Sequence, residues 1–583
     1  MRKILIPVLS VLAVFTTACN QDLLDIPQKG VVSTETFYKT EADAEAAMVA
    51  AYQGFLWNIC TKEGGSIYAP MRACFNLCGD DIYAAGEFFG DNDFMGAMNE
   101  FRYDNSSEVL TNAYSNIYYA MYYSNLVIHY FKDGLPDGTQ TPVTKRVVAE
   151  ARVLRAYMHM MLAIGWGTPP LIDDILGASD NPKNFNGTQA ELFAWCAKEC
   201  EEALPDLDER KSPTDKDGAV KVTKGFANAV AGKCYLFMGD YTKAKSALEA
   251  VVKSGKYELV PGNRYWENFH VEGDANEEKV FEANLELNAN VSVWWDIVNR
   301  STWMEANIWN WRSDHFVANP SSNYSGIDGW GGLGVPQWVA DEFVNNDGLD
   351  SYRLNATIIS IEDVVYNSVY GIDAIDNLTL AEKKASKDLG IGMKGLYGQS
   401  FYLPLKPVTR IADCDSRGSN IRVNNYVIMR YAEVLLMYAE ACLQTGDAAT
   451  AKTYINMIQE RAGSKTVSAS VDMNVLKKEK MLELWLEGNR WADMVRWGDF
   501  DRAKNAGQEV TVLYDRFYRE PASTDEGIKW LNNDSSERFY RVVTHAAKDR
   551  GDKIGFVAGK HELFPYPYSV ISKNPELVQN PGW

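Results

Sequence analysis

The sequence predicts a mainly α-helical protein in which a scaffold of repeated helix pairs carries a large loop-rich half. Two observations lead to this fold class. First, the segments Ala231–Val252 and Tyr438–Gln459 align without a gap, and each reads as two amphipathic helices joined by a Gly-Asp turn. Second, a stretch rich in Trp, Asn and Gly lies between them and shows neither helical nor strand periodicity. Regular helix pairs are therefore expected to alternate with long excursions.

The repeated segments have the pattern of tetratricopeptide-like units. The Gly-Asp turn at 239–240 aligns with the turn at 446–447, and Ala244 aligns with Ala451 where the second helix of each pair approaches the first. One pair alone would expose an apolar helix face, so the pairs must stack on neighbouring helices. The clearest pairs are predicted at residues 225–253 and 427–461.

Three further stretches are predicted to supply the neighbouring helices. They are Ala42–Leu56, Val109–Tyr130 and Pro142–Ile164. Thr40 comes just before the first of them, with Asp43 three residues later. This spacing predicts an amino-terminal helix cap at Thr40.

The amino terminus has the composition of a secretory signal peptide. A basic start is followed by the apolar core Ile4–Phe15 of 12 residues, too short for a membrane span of about 20 residues. Ala18-Cys19 resembles a bacterial lipobox, in which Cys19 would be acylated, although Thr16 stands where that motif usually has Leu. Lipoprotein processing and ordinary cleavage near Ala18 both remain open.

These observations predict the domain organisation. Residues 1–18 are expected to be a signal peptide, 19–40 a lipidated tether, and 41–583 a single domain. An acylated Cys19 would hold the protein on a membrane without a spanning helix.

The composition excludes several partners. Removing residues 1–18 takes two basic residues and no acid from a chain of net charge -20, leaving -22. This charge disfavours nucleic acids, and also anionic glycans unless a local basic pocket overrides it. The nine cysteines and six scattered histidines form no zinc-binding pattern. We expect structural thiols or an occasional disulfide, and no metal or cofactor.

The stretch VSVWWDIVNRSTWMEANIWNW, Val291–Trp311, holds five of the 16 tryptophans. Their spacing fits no single helix face and no strand alternation, and asparagines are interleaved with them. It runs into a loop, Asn319–Gly334, with a sixth tryptophan; we call Val291–Gly334 the tryptophan region. Indoles and amides on irregular backbone suit a ligand platform, and core packing beneath a long loop is the alternative. The candidates are Trp294, Trp295, Trp303, Trp309, Trp311 and Trp330.

A second candidate region, the early loop, is Asn76–Asn99. Its acidic residues are Asp80, Asp81, Glu87, Asp91 and Asp93. They could accept hydrogen bonds from sugar hydroxyls or form a solvated face, and for Asp81 a ligand contact and a structural role are both open. Phe88 and Phe89 are candidate walls of the site. A calcium site at Asp91 and Asp93 would lack the full spacing of an EF-hand.

Five motifs along the chain resemble one family. They are LDIPQKG (Leu24–Gly30), EARVLRAY (Glu150–Tyr157), RYAEVLLMYAEA (Arg430–Ala441), LELWLEGNRWADMVRWG (Leu482–Gly498) and LFPYPYSVISKNPELVQNPGW (Leu563–Trp583). The last three, in this order and spacing, are specific. They resemble the SusD/RagB family, the surface lipoproteins of Bacteroidetes nutrient-uptake systems, over most of the chain.

The strongest motifs read as structure rather than as catalytic sites. If LELWLEGNRWADMVRWG is helical, Glu487, Arg490, Asp493 and Arg496 are successive i,i+3 neighbours whose charges can satisfy one another. The segment LFPYP contains two prolines that forbid a helix, and it reads as a chain end docked on the body.

The resemblance implies a non-catalytic, lipid-anchored protein of the outer membrane at the cell surface. Such a protein binds a polysaccharide or oligosaccharide and hands it to a SusC-like TonB-dependent transporter. The implied fold is one α-helical domain with four tetratricopeptide-like units and a loop-rich half. Family members hold glycans on an aromatic platform lined by an early loop and by a region beyond the second repeat unit, and the tryptophan region occupies that second place.

Two other function classes stay open beside glycan binding. Peptide capture, as in the RagB branch of the family, would favour backbone-pairing edges and charged pockets over a cluster of indoles. A glycoside hydrolase would need two carboxylates about 5 to 9.5 Å apart across a cleft. The face of an indole suits the C–H face of a pyranose, and several flat indoles favour extended β-linked plant glycans.

Overall fold

The structure is a computed structural model that describes residues 37–61, 70–86, 90–286, 297–311, 329–360, 396–415, 421–514, 528–530, 539–544 and 553–583. The fold is mainly α-helical, which confirms the predicted class. The described α-helices are α1 Glu41–Phe55, α2 Pro70–Leu77, α3 Asp93–Asn99, α4 Glu108–Phe131, α5 Pro142–Trp166, α6 Gln189–Ala203, α7 Lys224–Met238, α8 Tyr241–Val252, α9 Ile297–Trp309, α10 Gln337–Asn346, α11 Tyr352–Thr357, α12 Tyr431–Gln444, α13 Ala448–Ala462, α14 Met473–Glu483, α15 Arg490–Trp497 and α16 Tyr568–Ile571. A π-helical segment, Leu56–Thr61, continues α1.

The described strands are short and pair in an antiparallel manner. They are β1 Tyr83–Ala84, β2 Lys279–Ala283, β3 Leu333–Gly334, β4 Ile358–Ser360, β5 Leu396–Tyr397, β6 Tyr402–Pro404, β7 Tyr426–Arg430, β8 Glu509–Tyr514, β9 Ile528–Trp530 and β10 Phe539–Thr544. Three two-stranded pairs, β1-β3, β2-β7 and β4-β6, accompany a four-stranded sheet of order β5-β8-β10-β9.

The long helices form a stack in which successive helices pack side by side. Helix α1 packs on α4, and α4 to α8 follow in chain order, each against the next. Helix α12 then packs on α8, and α13 on α12. The predicted pairs at 225–253 and 427–461 correspond to α7-α8 and α12-α13 and are confirmed. The three predicted neighbours correspond to α1, α4 and α5.

The Gly-Asp turns explain why the two pairs share a sequence pattern. Gly239 and Gly446 end the first helices in the left-handed region, with φ of 80° and 82°, which glycine adopts without steric cost. Asp240 and Asp447 then cap the second helices. Their carboxylates accept the third amide N–H of the helix at 3.1 and 3.2 Å.

Close packing within the helix pairs depends on small side chains. Ala244 and Ala451 are fully buried at the aligned positions. At Gly232 an added Cβ would lie 2.5 Å from Leu248 on the facing helix. Lys245 binds Asp447 at 2.8 Å and so joins one pair to the other.

The cap predicted at the start of α1 is confirmed. The Thr40 hydroxyl accepts the Asp43 amide N–H at 3.1 Å, and the Asp43 carboxylate accepts the Thr40 amide N–H at 2.8 Å. This reciprocal pair satisfies two amide groups that have no partner within the helix.

A network of buried charges joins the repeats to the second half of the chain. At its centre, Arg430 binds Glu278, Glu483 and Glu487. The other cations are Arg353, with Asp347, Glu479 and Glu483, and Arg461, with Glu278 and Glu483. Because each buried charge meets a partner, the cost of removing it from water is offset.

The motif LELWLEGNRWADMVRWG is interrupted rather than continuously helical. Helix α14 ends at Glu483, and the chain turns through Leu486 and Gly488, whose φ angles are 62° and 83°. A new helix, α15, begins at Arg490. The condition of one continuous helix, on which the i,i+3 pairing depends, is therefore met only within α15.

The interruption changes the ion pairs of this motif. Asp493 binds Arg496 at 2.7 Å, which confirms one of the two predicted pairs that lie within α15. Arg490 instead binds Asp80 of the early loop at 2.6 Å, and Glu487 joins the buried network. The charges still act structurally, because they connect distant segments.

The carboxy-terminal segment is docked on the body, as predicted. Phe564 stacks on Trp491 with ring centroids 4.3 Å apart. Trp166 donates its indole N–H to the Pro565 carbonyl at 3.0 Å. The end of the chain therefore packs against both α5 and α15.

The amino-terminal predictions fall on residues 1–36, which lie outside the described part of the chain. Within the described ranges, no helix combines the length and apolar character needed to cross a bilayer. The cysteines of these ranges form no disulfide.

Candidate functional site

The early loop and the tryptophan region meet in a short β-pair. Tyr83 of β1 lies opposite Gly334 of β3. The Ala85 amide extends the pairing by donating to the Gly332 carbonyl at 3.0 Å. Two regions that are separated by more than two hundred residues in the sequence therefore form one edge of the molecule.

Part of the tryptophan region is helical, which corrects the expectation of irregular backbone there. Helix α9 covers Ile297–Trp309. Its middle contains Met304, Glu305 and Ala306, which are strong helix formers. The spacing of the tryptophans alone indicated irregular backbone, because these indoles do not share one face of the helix.

The Gly-rich segment after this helix docks on the carboxy-terminal end of α9. Gly329 donates to the Trp311 carbonyl at 3.2 Å, and Gly332 donates to the Ile308 carbonyl at 3.0 Å. An added Cβ on Gly329 would lie 2.2 Å from the Asn310 carbonyl oxygen. Glycine is therefore required by the close approach of two backbones.

Trp330 and Trp303 form an aromatic pair on this edge. The Trp330 side chain is 37 % exposed, and Trp303 is half-buried. Their ring centroids are 6.1 Å apart and the ring planes are nearly perpendicular, at 86°. Of the six predicted platform residues, these two are the ones that the structure brings together at the surface. Trp294 and Trp295 lie outside the described residues.

Trp309 and Trp311 belong to the interior, which corrects their prediction as platform residues. Each is only 2 % exposed, and Trp309 is part of the main hydrophobic core. Trp309 follows Trp303 by six positions, which places the two side chains about 120° apart around the helix. One indole therefore faces the core while the other reaches the surface.

The asparagines of this region bind backbone rather than line a platform. The Asn310 side chain donates to the Thr409 carbonyl at 3.0 Å and accepts the Thr409 amide N–H at 2.9 Å. The Asn307 side chain donates to the Trp303 carbonyl at 2.7 Å. Asn310 therefore fixes the end of α9 to residue 409, and Asn307 bonds within α9, in contrast to the predicted role of orienting a ligand.

The first two acids of the early loop are also structural. Asp80 binds Arg490 through both carboxylate oxygens, at 2.6 and 2.9 Å. Asp81 is only 3 % exposed, and its carbonyl accepts the indole N–H of Trp485 at 2.9 Å. Burial raises the pKa of Asp81 to about 7. The carboxylate of Asp81 therefore faces the interior, which favours the structural role over the ligand contact, the two roles left open by the sequence.

The remainder of the early loop reaches the surface. Asp91 and Asp93 are exposed, and Asp93 binds Arg102 at 2.8 Å. The predicted wall residues Phe88 and Phe89 lie outside the described residues. In the part of the chain that the structure describes, no group of three or more His, Cys, Asp or Glu side chains could hold a metal ion.

Tyr83 is a surface residue that the sequence reasoning did not single out. It is half-buried, it occupies β1 opposite β3, and its hydroxyl donates to the Glu509 carbonyl at 3.2 Å. Its position in an early loop that also contains Phe88 and Phe89 was the available signal. Tyr83 lies opposite Gly334, and Gly334 is four residues after Trp330 in the sequence.

The chain is similar to proteins of one family. Residues 301–583 match the model described as the SusD family. A SusD-like protein from Bacteroides ovatus is 25 % identical over 506 residues, which cover 84 % of this chain and 82 % of that protein. SusD-like protein P38 from Formosa agariphila is 22 % identical over 500 residues, which cover 82 % and 88 % of the two chains.

Solved structures share the fold at low sequence identity. A laminarin-binding SusD-like protein has a TM-score of 0.67 at 22 % identity, over 94 % of this chain and 100 % of that chain. Surface glycan-binding protein A from Bacteroides thetaiotaomicron, in complex with laminarihexaose, has a TM-score of 0.66 at 19 % identity, over 92 % and 99 % of the two chains. The family match over residues 301–583, the relatives aligned over most of the chain and the shared fold all show similarity to SusD-like proteins.

Proposed function

We propose that this protein binds a polysaccharide or oligosaccharide at the cell surface, with Trp330 and Trp303 as aromatic contacts. The single observation that carries the proposal is the exposed pair itself, because Trp330 is 37 % exposed beside the early loop. A large apolar side chain held at the surface by a rigid backbone suits a binding role.

The geometry of the pair fits the chemistry of a pyranose. The C–H face of a sugar is slightly positive and the face of an indole is negative, so stacking is favourable by about 1 kcal/mol. The two rings are nearly perpendicular and form a corner, in which a sugar stacked on one ring meets the edge of the other. Such a contact is modest, and affinity would come from several sugar units along one chain.

The choice of ligand for a first test comes from structural relatives. One relative is named as laminarin-binding, and another was solved in complex with laminarihexaose. We therefore choose laminarin and laminarihexaose as first probes, together with a panel of β-linked plant polysaccharides.

The experiment is isothermal titration with laminarihexaose and affinity electrophoresis with the polysaccharide panel. Trp330→Ala should weaken binding about tenfold, which corresponds to about 1.4 kcal/mol. Trp266→Ala is the matched control, since Trp266 is equally exposed, at 36 %, but lies in the separate segment Gly262–Phe269 beneath Arg410. Equal binding by the two variants and the wild type would contradict the proposed surface.

We place the protein on the outer membrane, facing the exterior, through an acylated Cys19. The proposal rests on the Ala18-Cys19 junction that follows the apolar core of the signal peptide. Cys19→Ala should move the protein from the membrane fraction into the soluble fraction. Unchanged membrane retention of this variant would show that Cys19 is not the anchor.

Delivery of the glycan to a SusC-like TonB-dependent transporter completes the proposed function. It is supported by the match of residues 301–583 to the SusD family model. Affinity purification of the tagged protein from outer membranes in mild detergent should recover such a transporter. Recovery of the protein alone, with glycan binding intact, would limit its role to capture.

The same assays separate the other function classes. Binding of peptides from a library, without binding of any glycan, would replace this proposal by peptide capture. Release of new reducing ends from a bound polysaccharide would show that the protein is a hydrolase.

A further inference from the structure

A cavity of about 230 Å³ lies between the helix stack and the second half of the chain. It is bounded by α5, α7 and α12 on one side and by residues 406–409 and 424–428 on the other. Neither Trp303 nor Trp330 lines it. A liquid water molecule takes up about 30 Å³, so the cavity has room for a small organic molecule.

The walls of this cavity differ in chemistry. One wall is apolar and includes Phe75, Met160, Met161 and Ile164. The facing surfaces carry side-chain amides, namely Asn76, Asn268, Asn424, Asn425 and Asn489. An amide has two donors and two acceptor lone pairs, so amides that already hold the fold keep capacity for a ligand. An apolar wall with a few convergent polar groups is typical of a small-molecule site.

The cations of the cavity are neutralised by acids of the protein. Lys233 binds Glu433 at 2.7 Å, Lys406 binds Glu487 at 2.5 Å, and the Arg422 guanidinium lies 3.5 Å from the Glu305 carboxylate. The cavity therefore offers no excess positive charge to an anionic ligand.

Asp274 differs from the other acids of the cavity. Its carboxylate accepts the backbone N–H of Asn425 at 3.0 Å, and none of the ion pairs found in the described ranges includes Asp274. Burial, together with the nearby carboxylate of Glu282, raises the pKa of Asp274 to about 7. This carboxylate can accept hydrogen bonds from a ligand and would repel a second negative charge.

The backbone beside the cavity is strained. Leu486 lines the cavity with a φ of 62°, a conformation that costs a non-glycine residue on the order of 1–2 kcal/mol. It is held by its neighbours, because the Gly488 amide donates to the Asn76 side-chain oxygen at 2.7 Å. Strain of this kind is concentrated at ligand sites.

We propose that this cavity binds a single neutral monosaccharide, as a second site distinct from the surface around Trp303 and Trp330, which we call the tryptophan surface. The inference rests on the proposed glycan-binding function. Sugar hydroxyls would donate to the Asp274 carboxylate and exchange hydrogen bonds with Asn424 and Asn425. The C–H groups of the ring would face Met160 and Met161. At pH values above 7, where Asp274 is ionised, uronic acids would be excluded by its charge.

Cys60 allows occupancy of the cavity to be measured. It lines the cavity and is half-buried, whereas Cys414 is half-buried but does not line it. The intact protein is treated with iodoacetamide, with and without saturating glucose, galactose, mannose or xylose, and alkylation of each cysteine is followed by mass spectrometry. At least one sugar should slow alkylation of Cys60 several-fold and leave Cys414 unchanged, and glucuronate should have no effect.

Two variants test the residues that carry the inference. Asp274→Asn should weaken protection about tenfold, since a hydrogen bond to a charged group contributes about 1.5–3 kcal/mol. Met161→Phe should narrow the cavity from its apolar wall and reduce protection independently. Asp341→Asn is the matched control, because Asp341 is an exposed acid outside the cavity. Circular dichroism and melting temperature confirm the fold of each variant.

The outcomes distinguish this inference from the proposed function. If laminarihexaose binds but no neutral sugar protects Cys60, the cavity site is overturned and the glycan-binding proposal stands. Protection by glucuronate equal to that by glucose would overturn the neutral specificity. Wild-type protection in both folded cavity variants would overturn the site. Sugar protection without any polysaccharide binding would leave the cavity as a monosaccharide site and refute the surface function.

Discussion

The helix-pair body and the tryptophan surface are held together by different kinds of contact. In the body, the main contacts are made by side chains. They are the aspartate caps of the turns and the buried ion pairs around Arg430. On the tryptophan surface, the segment Gly329–Gly332 is held by backbone hydrogen bonds to the end of α9. Changes in the body should therefore reduce stability, and changes at the surface should reduce ligand binding.

The largest expected effect comes from removing the central cation of the body. Arg430→Ala would leave Glu278 and Glu483 buried with too little compensating charge. Breaking a buried pair in this way costs about 3–5 kcal/mol. Denaturant unfolding should show this loss in the free energy of unfolding.

The control for that variant is an ion pair at the surface. Lys504 binds Asp501 at 2.8 Å where both side chains are well exposed, so Lys504→Ala should leave the unfolding midpoint nearly unchanged. If both variants unfold at the wild-type midpoint, the buried network does not stabilise the body.

The next largest effect is expected from replacing two tryptophans of the tryptophan region, one buried and one exposed. Trp309→Ala removes a core indole and should cost about 3 kcal/mol of stability, with binding by the folded protein retained. Trp330→Ala should lose binding and keep the wild-type melting temperature within a few degrees. Melting curves and laminarihexaose titrations of both variants check this contrast. A large loss of stability in Trp330→Ala would assign that residue to the core.

The body could be predicted closely because its signals are local. Gly446 and Asp447 set their own turn and cap, and both act within four residues in the sequence. Thr40 and Asp43 do the same for α1. A pattern of this kind depends little on the remainder of the fold, so the sequence alone indicated helix positions, turns and caps.

The site could be predicted only as a region. Trp303, Trp309 and Trp330 are chemically alike, and long-range packing decides which indole is buried. Asp81 also looked available in the sequence, but Trp485, about four hundred positions later, covers its backbone. Neither outcome has a local signal, because both depend on contacts between segments that are distant in the chain.

A smaller effect should appear in the pH dependence of stability. The folded protein holds the Asp81 proton with a pKa of about 7, against an ordinary value of 3.8. Between these values the folded state binds more protons than the unfolded state, so Asp81 adds stability as pH falls from 7 towards 4. The slope for one group is about 1.4 kcal/mol per pH unit at most. Asp81→Asn should remove this contribution.

The measurement is the difference in the free energy of unfolding between the wild type and Asp81→Asn. His159 and His561 act in the opposite direction, because burial lowers the pKa of each to about 3. These histidines therefore favour unfolding as pH falls below their ordinary value of 6.5. Between pH 5 and 8, the free energy of unfolding of the wild type should fall relative to that of Asp81→Asn as pH rises. At the alkaline end the two values should become equal, or the variant should become the more stable protein. Parallel curves would mean that Asp81 does not titrate in this range.

The smallest change compares one glycine from each region. Gly446→Ala places a Cβ in open space but at a φ of 82°, which costs about 1 kcal/mol, so melting temperature should fall by a few degrees with binding unchanged. In Gly329→Ala the Cβ would meet the Asn310 carbonyl oxygen at 2.2 Å. The segment that carries Trp330 would have to move, and laminarihexaose binding should fall at least several-fold. Equal binding by the two variants would show that the position of Trp330 does not control affinity, because Gly329, unlike Gly446, lies in the segment that is held against the end of α9.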